Sequence, residues 1–133
     1  MTSISLRTNP VLTDAGLNAL FARSWPEHRA RPFTPVLARS LCYVAAFDAD
    51  RLIGFVNVAT DGGAHAFLLD VTVDPDYRRQ GTGTALVRAA ISITAETHCE
   101  WLHVDYEASR TSFYRACGFT PTSAGLVRLR RAV

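Results

Sequence analysis

Asp70-Val71-Thr72-Val73-Asp74-Pro75-Asp76-Tyr77-Arg78-Arg79-Gln80-Gly81-Thr82-Gly83-Thr84-Ala85-Leu86-Val87 is the stretch whose reading decides the rest of the chain. An apolar, strand-like run ends in a Pro-containing turn. Two arginines follow, then a Gly-x-Gly step, then a helical pattern. That order sets backbone N–H groups at a helix N-terminus with cations beside them, a cradle suited to a diphosphate.

Upstream of it, Leu41 to Phe47, Leu52 to Ala59 and Ala66 to Val73 read as three strands. Asp48-Ala49-Asp50 and Asp61-Gly62-Gly63 separate them, and such short turns give an antiparallel meander. Ile4 to Thr8 alternates as a first strand. Thr13-Asp14 can cap a helix whose Leu17, Leu20 and Phe21 share a face. The segment from Trp25 to Pro35 carries three prolines. It reads either as a connector or as a loop over a substrate.

Downstream, Leu86, Val87, Ala90, Ile91 and Ile93 follow mostly helical spacing over 83–97. Glu100 to Tyr106 reads as a strand, and this strand–helix–strand unit calls for parallel pairing. A second helix over 109–116 stops at Gly118. Leu126-Val127-Arg128-Leu129 is expected to close the sheet as its last strand. The expected fold class is α/β (α+β): a mixed central sheet of about six to seven strands, antiparallel in its N-terminal part with a central parallel pair, and helices on both faces.

A chain of 133 residues is expected to form one domain, residues 1–133. Apolar residues make up 48% and charged residues 20%, which suits a folded chain rather than a disordered one. The formal charge of +2 is too small to argue for nucleic acid. Arg78-Arg79 and Arg128, Arg130 and Arg131 are local cation groups rather than one basic face. Cys42, Cys99 and Cys117 show no metal-ligand spacing, so no metal is expected. Their odd number, with no leader-like segment, suggests a reducing cytoplasm. No apolar run reaches the roughly 18–20 residues of a membrane span.

Gly-x-Gly alone is a weak signal. A P-loop needs G-x-x-x-x-G-K-[ST], and no lysine follows here. A dinucleotide site needs G-x-G-x-x-G after a first strand with an acid about 20 residues on. Gly81, Gly83 and Asp105 fit, but Leu86 stands at the third glycine, and too little chain follows to complete a doubly wound sheet. The third reading is a coenzyme A site. Arg78-Arg79-Gln80-Gly81-Thr82-Gly83 matches R/Q-x-x-G-x-G/A, and Phe113-Tyr114-Arg115-Ala116-Cys117-Gly118-Phe119 matches F-Y-x-x-x-G-F downstream. Both motifs, at this separation, resemble the GNAT acetyltransferases over about residues 41–130. The run 99–119 is also similar to glucosamine 6-phosphate N-acetyltransferases.

The resemblance implies acetyl-CoA as cosubstrate, with direct acyl transfer from its thioester to a primary amine of a small molecule or peptide. The backbone of Val71, Thr72 and Val73 would pair with the pantetheine arm as an added strand. Arg78, Arg79, Gln80, Gly81, Thr82, Gly83 and Thr84 would hold the phosphates. Tyr114 matches the tyrosine that protonates the leaving thiolate in many members. Asp105, ahead of Asp70, is the carboxylate expected to help the amine. Glu107 stands where many relatives have asparagine, and Arg110 where many have alanine.

A lysine-like amine of pKa about 10.4 costs about 4.6 kcal/mol to deprotonate at pH 7, whereas an α-amino group near pKa 8 costs about 1.4 kcal/mol. The need for a base therefore depends on the acceptor. His103 reads as a structural strand residue, His65 and His98 as loop surface, Cys117 as a small buried residue and Phe113 as core. Arg31 or Arg39 could meet an acidic acceptor. The competing reading is a CoA-binding sensor or interaction module without catalysis. A homodimer through the C-terminal strand is a further expectation.

Overall fold

Three breaks in strand pairing shape the sheet, at Leu41, at Ile53 and at Asp70–Val71. In the computed structural model, which describes residues 3–130, five strands lie in the order β1 (Ile4–Thr8), β2 (Ser40–Asp48), β3 (Arg51–Thr60), β4 (His65–Val73) and β5 (Trp101–Val104). β1 to β4 are antiparallel neighbours, and β4 and β5 are parallel. In β3 the residue pairing jumps from Ala46↔Gly54 to Phe47↔Leu52, leaving Ile53 as an extra residue. In β4 the pairing passes from Asn57↔Leu69 to Phe55↔Thr72, so Asp70 and Val71 oppose Val56 alone. A bulge bends and twists its strand and re-aims side chains. The parallel pairing of β4 with β5 stops at Leu68↔Val104, just before that bulge.

Helices cover both faces. Helix α1 (Asp14–Ser24) begins where the Thr13 side chain accepts the Gly16 N–H at 3.0 Å, and it buries Leu17, Leu20 and Phe21 against Phe33 and Phe55. Helix α3 (Thr82–Ala95) buries Leu86, Val87 and Ala90 on the other face, against Val44, Ala46, Val56, Val58 and Leu68. Gly54 allows this close approach, because a Cβ there would meet Leu86 Cδ1 at 2.9 Å. The connector after α1 contains a short helix α2 (Thr34–Ala38), and Phe33, ahead of it, is 1% exposed in the α1 core. Helix α4 (Thr111–Ala116) ends in paired bonds from Gly118 N–H to Arg115 O (2.9 Å) and Phe119 N–H to Tyr114 O (3.0 Å).

The meander, the parallel pair and both helical faces follow the expectation, but the last strand does not. Leu126–Leu129 forms no strand, so among the described residues the sheet has five strands rather than six to seven and β5 is its edge. Leu126, Val127 and Leu129 are more than four-fifths exposed. Three of these four positions are apolar, so no alternation selects a buried face, and so short a run gains little against the entropy of ordering it. β5 is also shorter than the expected 100–106, because its partner turns away at Asp70. Arg131 lies outside the described residues.

Candidate active site

The gap opened by the β4 bulge becomes a cavity of about 670 Å³ between β4, the α3 N-terminus, the end of β5 and α4. Its upper wall is the turn that joins β4 to α3. Asp74 anchors this turn and is 1% exposed. Its carboxylate accepts from Arg23 Nε at 2.8 Å and Nη2 at 3.1 Å, from Arg51 at 3.3 Å and from the Asp76 N–H at 2.9 Å. The hydrogen-bonded Arg23 guanidinium, aided by the Asp76 N–H and the Arg51 charge, holds the Asp74 carboxyl below the usual carboxylate range despite its burial. Pro75 to Tyr77 then makes one 3₁₀ turn. The Tyr77 hydroxyl donates to Asp48, a bond that raises the phenol's own pKa.

The chain next passes through two left-handed residues, Arg79 (φ 62°) and Gly81 (φ 83°), and enters α3. Glycine suits position 81 for its conformation, since a Cβ there would touch nothing within 4 Å. Gly81 O accepts the first helical bond, from Ala85 N–H at 3.0 Å. Among the described residues the N–H groups of Thr82, Gly83 and Thr84 meet no protein acceptor, and no side chain caps the helix. These donors, with the positive end of the helix dipole, open on the cavity where Arg78 and Arg79 also stand. Arg78 is steadied by Val73 O at 3.2 Å and Ser24 O at 3.4 Å.

The far wall comes from α4. Tyr114 is 8% exposed and packs between Tyr106, stacked at 4.8 Å, and the edges of Phe113 and Phe119. Among the described residues its hydroxyl has no hydrogen-bond partner, and the residue lines the cavity. Burial pushes the Tyr114 phenol above its ordinary pKa, so it holds its proton at neutral pH. Asp70 takes a left-handed conformation (φ 57°) at the bulge and also lines the cavity. Desolvation of its carboxylate raises its pKa, and the Arg31 charge opposes the rise in part. Asp105 lines the cavity one residue past the end of β5.

The structure therefore brings Tyr114, Asp105, Asp70, Val71, Val73, Arg78, Arg79, Gly81, Thr82, Gly83 and Thr84 to one space. Thr72 and Gln80 are not among the residues that line it. The Thr72 side chain is 1% exposed on the α1 face, where its hydroxyl accepts from Trp25 Nε1 at 3.1 Å and donates to Asp70 O. Phe113 packs on the core and lines the cavity as well, and a Cβ at Gly83 would sit 3.5 Å from its ring. His65 is not in a loop: it opens β4 and its Nδ1 lies 2.7 Å from His103 Nε2. Sequence reasoning gave no cavity role to Tyr77 or Tyr106, and it reached Trp25 only as the first residue of the segment read either as a connector or as a loop over a substrate. Nothing near Tyr106 in the chain marks it. Tyr77 stood inside the quoted stretch but carried no motif.

A parallel strand pair splayed at a bulge, with an uncapped helix N-terminus facing the gap, defines a class. The sequence matches the acetyltransferase (GNAT) family over residues 15–119, and the chain belongs to that family. It is 36% identical over 81 residues to a mycothiol acetyltransferase of Mycobacterium ulcerans, a match covering 61% of this chain and 25% of that protein. The match thus spans about a quarter of the length of that curated relative. A GNAT family acetyltransferase from Streptococcus pneumoniae superposes with a TM-score of 0.82 at 22% identity, covering 98% of this chain and 100% of that one. An aminoglycoside N-acetyltransferase in complex with CoA superposes at 0.75 with 18% identity, covering 99% and 97%. Among the described residues no helix is long and apolar enough to cross a membrane, and no group of three or more His, Cys, Asp or Glu side chains could hold a metal ion.

Proposed function

We propose that residues 1–133 act as one acetyltransferase domain that moves an acetyl group from acetyl-CoA to a primary amine. The observation that carries this reading is the row of three unmet N–H donors at Thr82, Gly83 and Thr84, aimed into a cavity that also holds the Tyr114 hydroxyl. A diphosphate fits such donors, and Arg78 and Arg79 supply cations beside them. The family match and the CoA in the aminoglycoside N-acetyltransferase structure support the same cosubstrate.

Acetyl-CoA supplies an activated thioester: the amine nitrogen forms a bond to the acetyl carbon, and the carbon–sulfur bond breaks to leave a thiolate. Val71 and Val73 line the diverging edge of β4, where an extended arm would find backbone partners. Tyr114, kept protonated by its burial, gives its hydroxyl proton to the thiolate. Asp70, which lines the cavity and whose pKa desolvation raises, takes the proton that the amine loses. Asp105 faces the same space and holds the incoming ammonium by its charge.

The test is release of CoA thiol from acetyl-CoA across an amine panel, run beside calorimetric titration of CoA. Saturable heat with turnover is expected. No heat of CoA binding would overturn the reading. Tight binding with no turnover on any amine, and no effect of Tyr114→Phe, would instead favour a sensor or interaction module.

A further inference from the structure

We propose that the acceptor is a small cationic amine carried on an apolar, ring-sized frame, seated between Trp25 and Leu69 with its nitrogen toward Asp70 and Asp105. The inference rests on the acetyl-transfer reading of this cavity and names its substrate class. The cavity lining carries charges of both signs. Arg78 and Arg79 stand beside the α3 N-terminus, and Arg110 comes from the segment before α4. Asp70, Asp105 and Glu107 are the acids, and among the described residues neither the Asp70 nor the Asp105 carboxylate has a hydrogen bond or an ion pair. Unpaired carboxylates lining a concave space attract cations. The Tyr114 hydroxyl, unpartnered on a residue 8% exposed, opens into the same space and marks it as built to receive a polar group.

The apolar half of the inference rests on Trp25 and Leu69, which are 43% and 41% exposed and both line the cavity. The Trp25 ring is held in place, because its N–H donates to Thr72 Oγ1 at 3.1 Å. The bulge leaves both Leu69 and Asp70 lining the cavity, so an apolar surface and a carboxylate adjoin there. One side-chain step back along β4, Phe67 is 38% exposed and stacks on His103 at 4.8 Å, extending the apolar face. A fixed aromatic ring beside a carboxylate suits an ammonium on a flat carbon frame. An acidic amino sugar would place its anion near Asp70 and Asp105. Arg31, whose guanidinium lies over Phe33 at 4.9 Å, is the cation that bears on Asp70.

The experiment titrates 2-phenylethylamine, ethanolamine and glucosamine 6-phosphate into CoA-saturated protein by calorimetry and then compares their turnover with acetyl-CoA. 2-Phenylethylamine is expected to bind tightest, with kcat/KM about tenfold or more above ethanolamine. Trp25→Ala should raise its KM about tenfold while changing kcat less than threefold. Leu69→Asn, on an exposed position outside the α1 core, should shift KM in the same direction and serves if Trp25→Ala fails to fold. A preference for glucosamine 6-phosphate, or a ranking unchanged by Leu69→Asn, overturns the inference while CoA binding keeps the underlying reading alive. Absence of CoA binding removes both.

Discussion

Tyr114 combines two properties that seldom coincide, a nearly buried ring and an unpartnered hydroxyl. A core tyrosine usually finds a hydrogen-bond partner. Loss of that hydroxyl alone should therefore cost catalysis and not packing: Tyr114→Phe is expected to lower kcat about a hundredfold with the CoA dissociation constant unchanged, read by stopped assays beside calorimetry. Asp74 makes the opposite case. Asp74→Asn removes the charge that two arginines share, and the hydrogen bonds lost to a charged group put the cost at about 2 kcal/mol, measurable by urea melts at pH 7. Because the Asp74 carboxyl titrates lower folded than unfolded, its contribution is fully present above the ordinary carboxylate range. It fades as pH drops through the lowered folded value. Wild type and Asp74→Asn should converge in stability on acidification, and a gap that widens instead would contradict this.

At the scale of elements, the β4-to-α3 connection is the proposed phosphate cradle. Gly81→Ala forces a side chain into a left-handed conformation at a strain of roughly 1–2 kcal/mol. No neighbour lies near enough to clash, so the fold should survive. CoA affinity should fall about tenfold as the first-turn donors tilt, which calorimetry would detect. The turn and the start of α3 could be read from the sequence because glycines, arginines and a helical apolar pattern fall in order along one short segment. The three-stranded meander was equally plain, since turn residues punctuate apolar runs there. The Trp25–Thr72 hydrogen bond, the Asp74 ion pairs and the His65–His103 contact were not readable. Each depends on side chains between 23 and 51 residues apart that only the finished sheet brings together. Leu126–Leu129 misled for a different reason: it has strand composition, but among the described residues nothing covers it.

For the whole molecule, the packed unit ends near Phe119, whose N–H closes the α4 terminus and whose ring meets Tyr114. Described residues after it are exposed. Termination after Thr122 should therefore leave the melting temperature within a few degrees of the full chain and preserve CoA binding, since exposed residues contribute little to stability. A collapse of the melting transition would show that the tail closes the sheet in solution.

The tie between Arg23 and Asp74 spans 51 residues, and that between Arg51 and Asp74 spans 23. The turn between β4 and α3 is thus bolted to the first helix and to the third strand before it reaches its own helix. Links of such sequence separation form late, because the intervening chain must first lose its freedom. A chain still being synthesised would therefore acquire its capacity for coenzyme only after both distant anchors had docked, and ligand recognition should appear in refolding kinetics as one of the last events rather than as a seed.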